Sequence, residues 1–296
     1  MTPPAPPCPP PEHGISQRNH PPRAVAAAPG HRRVRRVHRS HCGCGRPIAW
    51  HDNIPVLSWL ILRGRARCCG RPFSIRYPAI ELLTALLFLG CWLLFPPGKA
   101  VAGMVLCSIL ICATFIDLDH MVIPDAFTIG GAMAGLLLSL ALPSLHGRQH
   151  EIFLIASVRS SVDSVLGLMI GSALVLWIAL VAEVVLKKEA MGFGDVKFLG
   201  AIGAFVGWKG AVFAVFGGAV VGCIWFALAV LWQQIAARPQ APAPTAPAEG
   251  GGTAPVPLGF GVHVPFGPML AIAALLYFLA LHRWVDDYFA DLAIML

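Results

Sequence analysis

The stretch Glu189-Ala-Met-Gly-Phe-Gly-Asp-Val-Lys197 is polar, punctuated by glycine, and lies between two apolar segments of the chain. Asp195 stands near its end, where the next apolar run begins. An ionisable side chain at the edge of a membrane-like segment is energetically expensive, so it marks a candidate functional site. The chemistry of this site depends on the partner that the fold brings to Asp195.

The composition indicates a polytopic helical membrane protein. Of the 296 residues, 56% are hydrophobic and 12% are charged, and the mean hydropathy is +0.69; a soluble domain carries about 25% charged residues. Several apolar runs approach or exceed the ~20 residues that a helix needs to cross a bilayer. We predict an all-α bundle of about seven spans, near residues 79–96, 100–116, 126–143, 164–186, 197–207, 211–232 and 266–284.

The composition also divides the chain into segments. Residues 1–30 are rich in Pro, Ala and His and are predicted to be a disordered tail, with no signal peptide. Residues 31–78 form a basic, cysteine-bearing segment that is too polar to span a membrane. Residues 79–284 form the membrane domain, inside which 236–257 is a flexible Pro/Ala/Gly linker, and 285–296 is predicted to be an exposed tail.

The net charge of +7 is concentrated near the N-terminus, where residues 1–78 hold thirteen arginines. Such a block could bind nucleic acid or anionic lipid, but no nucleic-acid motif accompanies it. We interpret it as the signal that keeps this segment cytoplasmic. The cytoplasmic loops are then 117–125, 187–196 and 233–265, whereas 97–99, 144–163, 208–210 and the C-terminus lie outside. This topology places Asp117 and Asp195 on the same side.

The second acidic stretch, Phe115-Ile-Asp-Leu-Asp-His-Met-Val-Ile-Pro-Asp125, ends one apolar run and starts the next. Asp117 follows directly on the first run, so we expect it at the membrane edge. Asp119 would face away from Asp117 on a helix. Asp125 precedes a helical run, and a helix N-cap is favoured there over a catalytic role. His120 could tune Asp117, although a solvated loop histidine is the favoured interpretation.

Two aspartates at the ends of different spans can meet inside a bundle. Two facing carboxylates cannot both ionise cheaply, so one of them holds a proton near neutral pH. The ionised group can take a proton from a water that attacks a peptide carbonyl, and the protonated group can donate toward the leaving amine. Gly192 and Gly194 would permit positive φ and the close approach of a substrate strand. Lys197 could pair with Asp195 or with a substrate carboxylate, and a snorkelling interfacial lysine is somewhat favoured.

The sequence resembles the type IV prepilin leader peptidases, which are GxGD-class intramembrane aspartic proteases. The resemblance rests on 189–197 and on Asp117-Leu-Asp-His-Met-Val-Ile-Pro-Asp125, Asn53-Ile-Pro-Val-Leu-Ser-Trp59, Arg76-Tyr-Pro-Ala-Ile-Glu-Leu-Leu83 and Pro265-Phe-Gly-Pro268, in family order. It implies a multi-pass enzyme of the bacterial inner (plasma) membrane, with Asp117 and Asp195 as the catalytic pair. The enzyme would cleave the short basic leader of prepilins and pseudopilins on the cytoplasmic side. Many members then N-methylate the new N-terminus with S-adenosylmethionine.

The nine cysteines fall into two main groups. Four lie inside apolar runs and are predicted to be packing residues, namely Cys91, Cys107, Cys112 and Cys223. Four others cluster in the basic segment, namely Cys42, Cys44, Cys68 and Cys69. In a cytoplasmic segment metal binding is the question rather than disulfides. The family often has two CxxC pairs, a zinc spacing, whereas this chain has Cys-Gly-Cys and a vicinal pair. Four thiolates and His41 could still hold zinc, but adjacent cysteines chelate a single ion poorly, so zinc binding stays open. Methyltransferase activity, which the resemblance associates with this N-terminal region, stays open as well.

A further departure lies at the start of the chain. Family members usually begin with a span that ends in a Gly-Ser-Phe-Leu-Asn-like stretch, and nothing like it occurs before residue 40. Either a shortened reading of the gene or a reduced member is predicted. Glu81 could line the active cavity or a methyl-donor site, or pair with Arg76 at the membrane interface. Two other functions stay open: a proton-coupled transporter that uses the paired acids, and an inactive truncated family member.

Overall fold

The computed structural model describes residues 42, 44, 46–148, 152–187, 191–236 and 265–295. The predicted tail at 1–30, His41 and the predicted linker beyond residue 236 lie outside this described part. The chain divides into two compact units, Met1–Leu83 and Thr84–Leu296.

The first unit carries the cysteine loop between two helices. Helix α1 is Pro55–Leu62, and α2, Arg76–Leu94, begins in this unit. Left-handed backbone at Arg63 and Gly64, with φ of 50° and 71°, turns the chain sharply after α1. The loop then closes on itself, because the Phe73 amide donates to the Gly64 carbonyl at 2.9 Å. The loop between these residues presents the vicinal Cys68 and Cys69.

The second unit is helical throughout its regular structure. It contains α3 (Pro97–His120), α4 (Asp125–Ala141), α5 (Phe153–Leu186), α6 (Phe193–Ala236), α7 (Gly267–Leu276) and α8 (His282–Met295), with a 3-10 turn at Pro143–His146 and a π-helical turn at Tyr277–Leu281. The part of the chain that the structure describes contains no β-strand, only one isolated bridge. The prediction of an all-α bundle is confirmed.

Five helical segments are long and apolar enough to cross a membrane, and α4, with 17 residues, is shorter. They are Arg76–Leu94, Pro97–His120, Phe153–Leu186, Phe193–Ile235 and Gly267–Leu292. The protein is therefore a multi-pass membrane protein.

Helix α6 folds back on itself at Gly207, whose φ of 74° and ψ of 179° are not helical. A Cβ atom built on Gly171 of α5 would lie 3.0 Å from the Leu199 carbonyl oxygen and 3.3 Å from Ala211 Cβ. These two α6 residues would stand ~18 Å apart along a straight helix. The turn thus separates the predicted spans 197–207 and 211–232, and the first arm gains length by starting inside the glycine-rich stretch.

Glycines let α5 and α6 approach at backbone distance. A Cβ on Gly167 would collide with the carbonyl oxygen of Gly203, and a Cβ on Gly203 would collide with that of Gly167. The GxxxG spacing of Gly167 and Gly171, predicted to serve bundle packing, therefore packs α5 against α6 within this chain.

The core between the helices is apolar and closely packed. Its largest fully buried side chains include Phe198, Phe205, Leu106, Leu110 and Leu199. Cys91 and Cys107 are buried as predicted. The same prediction was wrong for Cys112 and Cys223, which are exposed. In a membrane helix the core-facing and lipid-facing sides are both apolar, so an apolar run does not reveal which side a cysteine takes.

Residues 285–295 continue α8. Val285 is buried, and the Phe289 ring lies 5.1 Å from that of Trp208. The Lys209 ammonium lies 3.2 Å from the Asp286 carboxylate. These contacts attach α8 to the turn of α6.

Candidate active site

The structure brings Asp117 and Asp195 to one cavity of about 690 Å³. Asp117 lies in the last turn of α3, and Asp195 is the third residue of α6. Only 6% of the Asp117 surface and 9% of the Asp195 surface are exposed. The cavity is also lined by residues of both acidic stretches and of the segment before α7, including Ile123, Asp125, Gly192, Gly194, Lys197 and Phe266. Two buried carboxylates from different helices therefore face the same space.

The start of α7 lies against Asp117. A Cβ atom on Gly267 would lie 2.6 Å from Asp117 Oδ2, so only glycine fits there without displacing the carboxylate. Oδ2 is buried and accepts no hydrogen bond from the described residues. The N-terminal end of a helix carries partial positive charge, which favours a nearby carboxylate. Sequence reasoning missed this contact; its signal was the glycine of Pro265-Phe-Gly-Pro268 at the head of an apolar run.

The glycines before Asp195 lie in uncrowded surroundings. Among the described residues, positive φ occurs at other glycines, so Gly192 and Gly194 do not use the left-handed backbone that glycine permits. A Cβ on Gly192 would meet nothing closer than 3.9 Å, and one on Gly194 would lie 3.7 Å from Ile123 Cβ. Both positions line the cavity, so the glycines keep its wall free of side chains.

Lys197 forms an ion pair with Asp125, in which its Nζ lies 2.8 Å from Asp125 Oδ1. The ammonium also lies 5.4 Å from the centre of the Phe193 ring. The structure thus gives Lys197 a partner that our prediction did not name. The ion pair lowers the pKa of the Asp125 carboxyl.

The prediction that Asp125 is a helix N-cap was wrong. The N-cap of α4 is Pro124, in extended conformation, and Asp125 is the first helical residue. Its Oδ1 accepts from Lys197 and, at 3.4 Å, from the Thr128 hydroxyl. Proline at the cap has no side-chain acceptor, so the aspartate one residue later turns to the lysine instead.

The remaining predicted residues lie elsewhere. Asp119 and His120 are exposed at the end of α3 and do not line the cavity. His120 is the last residue of that helix and not the loop residue that we favoured. In the first unit, Glu81 accepts a hydrogen bond from the Val56 amide at 2.9 Å. That amide is one of those at the start of α1 with no partner in the helix, so Glu81 stabilises the α1 N-terminus.

The four cysteines of the first unit form one cluster. Their Sγ atoms all lie within 4.8 Å of one another. Cys42 and Cys69 approach to 3.6 Å, and Cys44 and Cys68 to 3.4 Å. Tetrahedral zinc with Zn–S bonds of ~2.3 Å holds its sulfurs ~3.8 Å apart, so the cluster fits this ion. The vicinal pair is compatible with this geometry, because Cys69 faces Cys42 and Cys68 faces Cys44.

The fold and the cavity define a class of protein, a membrane-embedded helical bundle with two buried aspartates at one cavity. Residues 104–227 match the type IV leader peptidase family, and residues 24–95 match the bacterial peptidase A24 N-terminal domain.

Curated relatives point to the same family. A prepilin leader peptidase/N-methyltransferase of Myxococcus xanthus is 33% identical over 87% of this chain and 85% of the relative. A relative of the same name from Aeromonas hydrophila is 36% identical over 84% of this chain and 74% of the relative. Another, from Klebsiella pneumoniae, is 40% identical over 56% of this chain and 67% of the relative. No solved structure matches the chain. The chain belongs to the type IV leader peptidase family, and the resemblance seen in the sequence is confirmed.

Proposed function

We propose that this peptidase cleaves the leader peptide of type IV prepilins and pseudopilins, with Asp117 and Asp195 as its catalytic pair. The observation that carries the proposal is that two buried carboxylates from α3 and α6 line one cavity, in a chain whose relatives are named prepilin leader peptidases. A transporter could also use paired acids, but family membership favours peptide hydrolysis.

The chemistry follows from one shared proton. A water between the two side chains attacks the carbonyl carbon of the scissile peptide and gives its proton to the ionised carboxylate. The protonated carboxylate gives its proton to the carbonyl oxygen, so a tetrahedral diol forms. The diol collapses as the C–N bond breaks; one hydroxyl proton returns to a carboxylate and the amine leaves with the other carboxylate's proton. The pair ends with one proton, as it began.

The glycine wall supports binding of an extended substrate. With no side chain at Gly192 and Gly194, a leader strand can lie along the start of α6 while the apolar helix of the substrate enters laterally from the bilayer. We propose that this end of the bundle faces the cytoplasm of a bacterial cell, at its inner membrane, on the arginine-rich character of residues 1–78.

N-methylation of the new N-terminus is the second proposed activity. It rests on the relatives' names, and the methyl donor is expected to be S-adenosylmethionine. We assign no residue of this chain to that donor. Mass spectrometry of a co-expressed prepilin tests both activities, because leader removal and an added methyl group change the mass separately.

Zinc is the proposed ligand of the cysteine cluster. Four thiolates form a closed site of the structural kind, in which the ion would tie Cys42 and Cys44 to the loop of Cys68 and Cys69. Metal analysis of the purified enzyme should find one zinc per chain, and Cys68→Ser should lose it. Cys223→Ser is the matched control, because that thiol is exposed elsewhere. A Cys68→Ser enzyme with full zinc content would contradict the assignment.

The catalytic pair is tested by carboxamide variants. Asp117→Asn and Asp195→Asn should each slow leader cleavage by about 10²- to 10⁴-fold, the usual contribution of a general acid or base. Asp119→Asn is the matched control, since Asp119 is exposed and does not line the cavity. Cleavage is measured in detergent without any ion gradient, which a transporter's function would need. If purified Asp195→Asn cleaves the leader at the wild-type rate, the mechanism is contradicted. If the wild-type protein itself does not cleave the leader, the chain is an inactive member of the family.

A further inference from the structure

A second cavity, of about 490 Å³, lies at the other end of the bundle. Lys99, near the start of α3, lines it, while Asp117 lies eighteen residues later on the same helix. Eighteen helical residues span ~27 Å, so the two cavities are separate sites. The second cavity is bounded by the turn of α6, the 3-10 turn and the start of α8, among them Gly207, Trp208 and His282.

The lining is strongly polar for a membrane protein, and its charges do not balance. Arg148 pairs with Asp163 at 3.0 Å, and Lys209 pairs with Asp286 at 3.2 Å. Lys99 is the third cation of the lining, and no carboxylate among the described residues forms an ion pair with it. One positive charge therefore remains in the cavity.

Lys99 is held in place rather than free to leave for solvent. Its Nζ lies 4.9 Å from the centre of the Phe95 ring and 5.6 Å from that of Phe278. Aromatic faces attract the ammonium but do not neutralise it. The Asp286 carboxylate also attracts the Lys99 ammonium, but it already pairs with Lys209. A half-buried cation with no ion-pair partner of its own is costly, and a diffusible anion is the group that would remove this cost.

His146 supplies a second polar group with no partner. Its Nδ1 lies 3.0 Å from the Ser160 hydroxyl, whereas its Nε2 is buried and has no hydrogen-bond partner among the described residues. Burial lowers the pKa of His146 to about 4, so the ring is neutral at physiological pH. Nε2 can then be a donor or an acceptor, depending on the tautomer. A phosphate group can satisfy either, since it offers acceptor oxygens and, when protonated, a hydroxyl.

We propose that this cavity binds a phosphate group, carried either by an anionic phospholipid or by free phosphate, with Lys99 as the counter-charge and His146 as a hydrogen-bonding partner. The location fits the chemistry. A lysine near the end of a membrane helix places its ammonium at the level of the lipid headgroups, and Trp208, a side chain typical of the membrane interface, lines this cavity. The site is independent of leader cleavage, because it rests on none of the groups around Asp117.

The test is a binding measurement on the purified protein in uncharged detergent. Inorganic phosphate and phosphatidylglycerol are the two probes, with phosphatidylcholine as the lipid control. Binding is followed by the rise in thermal midpoint with probe concentration, since a ligand of the folded state stabilises it. Lys99→Met should weaken binding by about tenfold or more, as expected for the loss of a charged hydrogen bond. Lys99→Arg should restore it.

Lys187→Met is the matched control, because it removes the same charge from an exposed side chain just after α5 that does not line the cavity. It should leave binding within a factor of about three. Stabilisation by phosphatidylglycerol alone would identify a lipid headgroup, and stabilisation by inorganic phosphate as well would identify a free-anion site. If neither probe stabilises the wild-type protein, or if Lys99→Met binds like wild type, the proposal is overturned. The wild-type measurement decides even if the methionine variant does not fold.

Discussion

The Nζ atom of Lys197 lies 2.8 Å from Oδ1 of Asp125, so an ion pair joins the beginning of α6 to the first turn of α4 at the wall of the cavity that Asp117 and Asp195 line. Both side chains are partly exposed, with 34% and 62% of their surface accessible. An exposed ion pair contributes little to folding, about 0–1 kcal/mol. Its effect is therefore expected on the cavity rather than on the stability of the fold.

Lys197→Met should lower kcat/KM for leader cleavage roughly tenfold, or about 1.4 kcal/mol in activation free energy. The variant leaves the Asp125 carboxylate without its counter-charge on the wall shared with Asp117 and Asp195. The double variant Lys197→Met/Asp125→Asn should recover most of this loss, since it removes the unpaired charge. Steady-state kinetics on the two variants provide the check. A double variant as slow as Lys197→Met would show that the charge of Asp125 is not the cause.

Gly267→Ala should reduce kcat by about 10²-fold while the protein still folds, because small misplacements of a reacting group have effects of this size. The new methyl group would lie 2.6 Å from Asp117 Oδ2 and must displace that carboxylate. Gly130→Ala is the matched control, since nothing lies within 4 Å of a Cβ there. Single-turnover cleavage separates the chemical step from binding. Equal rates for the two alanine variants would contradict the contact.

Gly203→Ala should destabilise the bundle by about 1–3 kcal/mol or more, as overpacking does. A Cβ there collides with the Gly167 carbonyl, which is backbone and cannot rotate away. Gly90→Ala on α2 has open space around its Cβ and should be close to neutral. Thermal unfolding in detergent measures both. A Gly203→Ala midpoint equal to that of wild type would mean that α5 and α6 can separate without cost.

The stability of the protein should fall between pH 7 and pH 4 through His146. Burial lowers its pKa to about 4 from an ordinary 6.5, so on acidification the unfolded chain takes up the proton first. The loss begins as the pH passes below 6.5 and is complete below about 4, with an upper bound of about 3 kcal/mol. His146→Gln should lack this component, so the free energy of unfolding of wild type minus that of the variant should fall as the pH is lowered from 7 to 4. A pH-independent difference would show that His146 is already exposed to protonation in the folded state.

The sequence predicted from local signals the two aspartates that the structure places at one cavity. Each aspartate lies at the boundary of an apolar run. A charged side chain is costly to place there, so an acid at such a boundary indicates a functional site. The break between the predicted spans 197–207 and 211–232 could also be predicted from one segment. A straight helix of 44 residues is ~66 Å long, about twice the thickness of a hydrocarbon core.

Contacts between distant parts of the chain were not predictable in the same way. Gly267 meets Asp117 across 150 residues, and Lys197 meets Asp125 across 72. Neither pair is linked by any periodicity, since helix rotation and order of packing decide which faces meet. The pairing of Cys69 with Cys42 and of Cys68 with Cys44 depends in the same way on the closure of a loop.

The stretch 189–197 and the hydropathy of the chain alone determined a membrane bundle with an acid at the edge of a span. This was possible because the free-energy cost of placing a charge in lipid depends on each residue separately and not on its tertiary contacts. Only the tertiary structure decided that Asp195 shares a cavity with Asp117, that Gly267 closes against it, and that a second, cationic cavity surrounds Lys99. Packing between apolar helices is set by shape, and shape is a property of the assembled faces rather than of any one segment.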